Sequence, residues 1–247
     1  MLKEERQQYI ISQINIHNKV LSADLSVQLG VSEDTVRRDL DELAEDGKLV
    51  KVYGGAFSKS FHSPYSGREV YKKEGKKEIA RKAISLVKEG MVLLMGGGTT
   101  MMELARIFPD DIQCTVFTIS PVVGLELTER TKVTVNLIAG KLASGSHIVI
   151  GSQVISQLSE IKADLCFLGT NGLSLTHGIA DSDWEVVQIK KAMINAADKT
   201  VIVSIAEKLD SLQKMKICNL SAIDYLITDV DPGSPEIEKY SEVTKVI

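Results

Sequence analysis

Residues 31–56 read VSEDTVRRDLDELAEDGKLVKVYGGA. Ser32 stands where a helix N-cap belongs, because its hydroxyl can accept from the free amides of a first turn. Val36, Leu40 and Leu43 follow at i, i+4 and i+7, which predicts a helix to about Glu45 with one buried stripe. Gly47 ends that helix, and KLVKVYGGA then alternates in strand fashion up to a Gly54-Gly55 turn. Upstream, VLSADLSVQLG offers Ser22 as an N-cap, Leu25 and Leu29 on one face, and Gly30 as a stop. Before it, Leu2, Tyr9, Ile10 and Ile14 suit a helix lying on a small core. Helix, short helix, glycine turn, longer helix and β-ribbon is the pattern of a winged helix-turn-helix over residues 1–57.

In that arrangement the exposed side chains near the start of the longer helix face DNA: Glu33, Asp34, Thr35, Arg37 and Arg38. The planar fork of arginine grips a phosphate or a guanine edge in two places, and a helix N-terminus offers free N–H groups to a phosphate. Spacing alone equally allows a helix whose polar face meets water, with Arg38 pairing Asp34, Asp41 or Glu42. Charge narrows the choice. The formal net charge is −4, and residues 1–57 hold seven Lys/Arg against ten Asp/Glu. Residues 58–82 hold eight Lys/Arg against three Asp/Glu. Any DNA contact must therefore come from a few placed cations, not from a basic domain. Asp39, Asp41 and Glu42 would sit awkwardly against a phosphate backbone, which confines contact to the first two turns.

These residues carry a resemblance. The V-S-x-x-T-[VI]-R-R-D-L run, the Leu-x-x-x-Gly step and the closing Gly-Gly-Ala are similar to the DNA-binding signature of DeoR-type bacterial transcriptional regulators. The resemblance implies that Ser32, Thr35, Arg37 and Arg38 lie at the DNA-facing end of the recognition helix. It assigns Lys48, Lys51 and Tyr53 to the wing.

Residues 58–74 are polar and basic, with Ser, Gly and one of the five prolines, and read as a linker in which His62 is a solvated residue. From 75 to 247 strand and helix alternate. MVLLM, CTVFTIS, VTVNLIA, DLCFLGT, TVIVSI and YLITD are short apolar runs, with helical segments near 79–87, 100–108, 121–130, 151–160 and 183–197. Continuous apolar strands are covered on both faces, so this is an α/β domain with a largely parallel sheet. Cys114, Cys166 and Cys218 are odd in number and far apart, which fits neither a disulfide framework nor a zinc pair. The charged start is not a secretory signal, and no run is long enough to span a bilayer. A soluble cytoplasmic protein without metal or cofactor is expected.

Ligands of such sheets bind at the carboxyl ends of strands. In LLMGGGTTMMELA a strand runs into Gly97, Gly98, Thr99 and Thr100 and then a helix, a cradle for a phosphate-type anion. It is neither a dinucleotide fingerprint nor a P-loop, since Met101 replaces a glycine and no Gly-Lys-Ser/Thr follows. FLGTNGLSLTHGIADSDWE brings Thr170, Asn171 and Gly172 off another strand end, followed by a long loop that holds His177. Asp181 and Glu185 are acceptors for sugar hydroxyls, or caps for the helix starting near Ser182. Lys208 follows a further strand.

The resemblance extends over nearly the whole chain, through Glu78-Ile79-Ala80, Gly98-Thr99-Thr100, Ala139-Gly140, residues 169–194, Lys208 and IDYLITD. It implies a sensor domain similar in fold to phosphosugar isomerases, glucosamine-phosphate deaminases and coenzyme A transferases. Gly97, Gly98, Thr99, Thr100 and Lys208 would grip phosphate; Thr170, Asn171, Gly172, Asp181 and Glu185 would shape the sugar side. Arg68 matches a family arginine near the junction. Three positions depart from the pattern: Gly96 replaces an acidic residue, Ile119 an asparagine, and Ile205 an aspartate. The expectation is a transcriptional regulator, a repressor of carbohydrate-metabolism genes, that binds double-stranded operator DNA as a homodimer or higher oligomer and answers to a phosphorylated sugar metabolite. The alternatives are a phosphosugar isomerase or deaminase using Asp181 and Glu185 as acid and base, and a regulator with a protein or non-phosphorylated effector.

Overall fold

The computed structural model describes residues 1–58, 70–129, 132–143 and 146–247. His62, Arg68 and most of the expected linker lie outside the described residues. The chain forms two compact units, Met1–Tyr71 and Lys72–Ile247.

The first unit contains α1 (Lys3–His17), β1 (Lys19–Leu21), α2 (Ser22–Leu29), α3 (Glu33–Glu45), β2 (Leu49–Val52) and β3 (Gly55–Ser58). Gly30 takes a left-handed φ of 64° at the α2 C-cap and sends its N–H to Ser26 and Val27 carbonyls, which turns the chain sharply into α3. Ser32 caps α3, accepting from Thr35 N at 3.2 Å. Val36, Leu40 and Leu43 are fully buried with Ile10, Ile14, Leu25, Leu49 and Ala56. Each of the Val, Leu and Ile side chains contributes about 1.5–3 kcal/mol on burial. Two expectations are corrected. Leu2 is 72% exposed and lies outside the core. Ser22 is the buried first residue of α2, whose N-cap is Leu21, because β1 occupies the preceding positions and Ser22 N bonds to Gly54 O. That strand is three residues long, too short to show a period. It exists because Gly55 lacks a Cβ that would overlap the Val20 carbonyl, so β1 pairs with β3 in the sheet order β1-β3-β2.

The second unit opens with α4 (Lys73–Ile84), β4 (Val92–Met95), α5 (Thr99–Arg106), β5 (Thr115–Thr118), α6 (Pro121–Thr128) and β6 (Thr134–Leu137). It continues through β7 (Lys141–Leu142), β8 (Val149–Ile150), α7 (Ser152–Ser159), β9 (Ala163–Gly169), β10 (Gly172–Ser174) and β11 (Gly178–Asp181). α8 (Trp184–Asn195), β12 (Ala197–Val203), β13 (Met215–Cys218), β14 (Tyr225–Ile227), α9 (Pro235–Ser241) and β15 (Lys245–Val246) complete it. Seven strands form one sheet in the order β15-β14-β12-β9-β4-β5-β6, every neighbouring pair parallel. The six apolar runs of the sequence are six of these strands, and Leu93–Met95, Leu165–Leu168 and Val201–Val203 are buried throughout. Register aligns Met95 with Thr118 and Phe167, and Gly169 with Val203, so the carboxyl ends of β4, β5, β9 and β12 meet along one edge.

The long loop expected after Gly172 is instead the hairpin β10–β11, extended by β13 into an antiparallel side sheet. Gly178 makes this possible: its φ is +80°, and a Cβ there would overlap the Cys218 carbonyl. Cys114 and Cys166 are buried and Cys218 is half-buried; all three are free thiols.

Candidate functional site

The exposed end of α3 carries two arginines in different states. Arg37 reaches back along its own helix to Glu33 at 3.1 Å and Asp34 at 3.3 Å. Arg38 is exposed and has no hydrogen-bond or ion-pair partner among the described residues. The pairing of Arg38 with Asp34, Asp41 or Glu42 is therefore not made, and it is Arg37 that Asp34 holds. Ser32 and Thr35 share a hydrogen bond between their hydroxyls at 2.9 Å. On the wing, Lys48 pairs with Asp46 at 3.0 Å, Lys51 pairs with Asp41 of α3, and Tyr53 is fully exposed at the turn.

The acidic stretch of α3 is not an open negative face. Asp39 is only 2% exposed and accepts a fork from Arg6 of α1, Nε at 2.5 Å and Nη2 at 3.1 Å. Glu42 accepts from Lys3 and Gln7, also on α1, and these partners hold its carboxyl below the usual range. Each carboxylate that would repel a phosphate is thus matched by a cation, from α1 or from the wing. Spacing could not foresee this, because the partners of Asp39 and Glu42 lie more than thirty residues away.

In the second unit most of the remaining candidates lie at or just beyond the ends of β4, β9, β11 and β12, while Glu185 lies in solvent on α8. Gly98 opens α5 with φ +105°, and the first intrahelical bond is Met102 N to Gly98 O. The amides of Gly98 to Met101 precede that bond, as at any helix start. Gly97 must lack a Cβ, which would overlap the Ile148 side chain. Gly96 is crowded by Leu168 and the Phe167 carbonyl, so the position that departs from the family pattern has no room for an acidic side chain without displacement. Ile119 and Ile205 are buried.

Beside this turn, Thr170 is buried and its Oγ1 is shared between Gly172 O at 2.8 Å and Ala180 O at 3.1 Å, which locks the hairpin base. Gly172 has Gln213 packed where a side chain would begin. Asn171 donates to Asp181 at 2.9 Å. Asp181 is buried and also accepts from Ser182 N and from Lys190 Nζ, each at 2.7 Å. Burial pushes its carboxyl up, but the Lys190 charge and these hydrogen bonds outweigh burial and bring it below the usual range. Glu185 is exposed on the first turn of α8, whose cap is Asp183. Asp181 and Glu185 thus occupy different settings, one tied into the hairpin and one in solvent.

Lys208 sits on a short 3-10 turn after β12 and donates to Thr170 O at 2.9 Å. Burial pushes its ammonium down to about 7, helped by the charges of Lys76 and Lys190 and opposed by Asp181. Lys190 also donates to Gly169 O at 2.9 Å. Lys76 is buried on α4, and burial lowers it to about 8 against the pull of Glu103, Asp229 and Glu207. Lys76 and Lys190 were not anticipated from the sequence. The signal was present: Lys76 shares the stripe of Ile79, Ala80 and Ala83, and Lys190 that of Val186 and Met193, so each stands on an apolar helix face. Among the described residues no group of His, Cys, Asp or Glu could hold a metal ion, and no helix is long and apolar enough to cross a membrane.

Comparison with known proteins fits this geometry. Residues 6–61 match the DeoR-like helix-turn-helix domain and residues 71–230 the DeoR C terminal sensor domain. The HTH-type transcriptional regulator GlpR of Haloferax volcanii is 34% identical, over 100% of this chain and 98% of its own length. The HTH-type transcriptional repressor GlcR of Bacillus subtilis is 32% identical, over 94% and 91%. The L-fucose operon activator of Escherichia coli is 29% identical, over 92% and 96%. With both domains matched in order and relatives similar along their full length, the chain belongs to the DeoR family of transcriptional regulators.

Proposed function

We propose that this regulator binds a specific operator through α3 and the wing, and releases or engages it in response to a small phosphorylated sugar metabolite. Arg38, exposed and without a partner, is the principal DNA contact. Arg37 joins it once it leaves Glu33 and Asp34, and Ser32, Thr35, Lys48, Lys51 and Tyr53 flank the pair. Two copies are required to set two recognition helices on half-sites, so the working form is a homodimer or larger. Repression of carbohydrate genes is the output in this reading: one relative is named a repressor, a link to sugar operons comes from the fucose-operon relative, and that relative is itself named an activator.

The observation that carries the effector reading is the grouping of Lys208 and Lys190 at the strand ends beside the Gly97–Thr100 turn. Both lysines are half-buried; Lys190 is already answered by Asp181, whereas Lys208 meets a carbonyl, so an anion supplies the negative partner that Lys208 lacks, and a helix start offers further donors to it. In this reading Thr170, Asn171, Gly172, Asp181 and Glu185 shape the sugar side. Gly96, Ile119 and Ile205 offer no side-chain polar atoms, which favours a metabolite held chiefly by its phosphate. Asp181 is committed to Asn171, Ser182 and Lys190, which speaks against a role in turnover, and the protein is a regulator and not an enzyme. The test is a thermal-shift screen of sugar phosphates and their unphosphorylated parents, followed by operator titration with the best hit. Stabilisation by phosphorylated compounds alone, lost in Lys208→Ala, is expected. Equal stabilisation by the parent sugars would overturn the phosphate reading.

A further inference from the structure

α4 is the first helix of the second unit, and its first turn is stitched to the turn that carries Lys208. Lys72 pairs with Glu207 at 2.9 Å, one residue from Lys208. Gly75 has no room for a Cβ, because the Asp229 carboxylate lies where that atom would be. The same carboxylate accepts from Ala206 N at 2.7 Å, so Asp229 bridges α4 to the 206–208 turn. At the other end of α4, Lys82 donates to Thr228 O at 2.9 Å and Val230 O at 3.0 Å, fixing that end to the sheet edge.

Lys76 lies between these anchors, buried on the same face as Ile79, Ala80 and Ala83. A buried charge is a poor way to stabilise a fold, and an apolar side chain of similar volume usually serves as well or better. The charges of Glu103, Asp229 and Glu207 act on Lys76, and the charge of Lys76 acts in turn on Lys208. The first helix of this unit thus carries a buried ammonium whose charge reaches the lysine assigned to the effector, on a turn tied to the same 206–208 segment by Lys72 and Asp229.

We propose that Lys76 is a further ligand of the effector anion, and that the Lys72–Glu207 pair latches the first turn of α4 in its effector-free position. This rests on the anion reading of Lys208. An anion at Lys208 draws Lys76 away from Glu207 and Asp229, and its own negative charge repels the adjacent Glu207 carboxylate, which loosens the Lys72–Glu207 pair. Occupancy is thereby written into residues 70–76, directly beyond the segment that joins the two units. Couplings of this kind amount to roughly 5- to 150-fold in affinity.

The test uses the full chain, inorganic phosphate and glucose 6-phosphate as probes, melting shifts for affinity, and hydrogen exchange for residues 70–76. Wild-type protein is stabilised by a probe and changes its exchange in that segment. Lys208→Ala removes binding altogether and reports on the anion site itself. Lys76→Met melts at or above wild type without ligand, binds roughly tenfold more weakly, and loses the exchange change, while Lys76→Arg keeps most of both. Lys72→Met binds the probe but shows fast exchange at 70–76 before any is added. Wild-type affinity in Lys76→Met would refute the ligand role even with Lys208 sustained. An exchange pattern unmoved by a probe that binds would refute the latch. If neither probe stabilises wild type, the anion reading fails and this inference falls with it.

Discussion

Asp39→Ala should loosen the DNA-binding unit without touching any exposed residue. Asp39 is buried, and Arg6 meets it with two hydrogen bonds, Nε at 2.5 Å and Nη2 at 3.1 Å. Removing one member of a buried pair costs about 3–5 kcal/mol, because the other charge is left without an answer. The Arg6 side chain is 12% exposed, so water reaches part of the guanidinium and the expected cost is nearer 2–3 kcal/mol. A unit of this size holds in total only about 3–10 kcal/mol. The loss should lower its melting transition by roughly 10–20 °C. Native-state hydrogen exchange gives a direct reading: the amides of Val36, Leu40 and Leu43 should exchange roughly 30- to 150-fold faster. Replacing both partners, as Arg6→Met with Asp39→Leu, should recover most of the loss, since two matched apolar groups leave nothing stranded. A change below about 0.5 kcal/mol in Asp39→Ala would show that the pair is not a structural tie, and the account of α1 as the brace of α3 would fail.

Arg38→Ala should weaken operator binding by about 1–3 kcal/mol, and Arg37→Ala by less, because Arg37 must first give up Glu33 and Asp34; equal losses in a fluorescence titration would contradict this ranking. Lys208 has its folded pKa near 7 against 10.5 unfolded, so the unfolded chain binds more protons between those values and stability should rise with pH across that window. An anion favours the ammonium form of Lys208, and of Lys76 near 8, so sulfate should bind with proton uptake and more weakly as pH rises from about 7 to 9; calorimetry in two buffers of different ionisation heat would expose its absence. Gly97→Ala forces its new methyl group into Ile148 and should destabilise the second unit by about 1–3 kcal/mol, with a denaturant midpoint unchanged from wild type counting against the close packing.

Much of the fold is legible in the chain itself. Ser32, Gly30 and the stripe of Val36, Leu40 and Leu43 act through bonds and contacts set within a few residues, and all were found where spacing put them. The six apolar runs became neighbours in one parallel sheet, because a strand covered on both faces announces itself by composition. The β10–β11 hairpin was hidden by its short strands, and β1 by its dependence on a glycine more than thirty residues later. Lys76 and Lys190 were concealed by charge: a lysine on an apolar stripe reads as an interruption until the strand ends that face it are known.

The sequence by itself determined the order of domains, the helix that presents Arg37 and Arg38, and the glycine turn that opens α5, because each is a matter of local caps, periods and backbone freedom. Only the tertiary structure decided which charges stand free. It turned Asp39 inward onto Arg6, set Asp41 against Lys51, left Arg38 exposed, and brought Lys190 and Lys208 from two separate elements to carbonyls at the end of β9, with the charge of Lys76 in reach. Electrostatic roles depend on distances across the fold, and those distances are not written in any single stretch of chain.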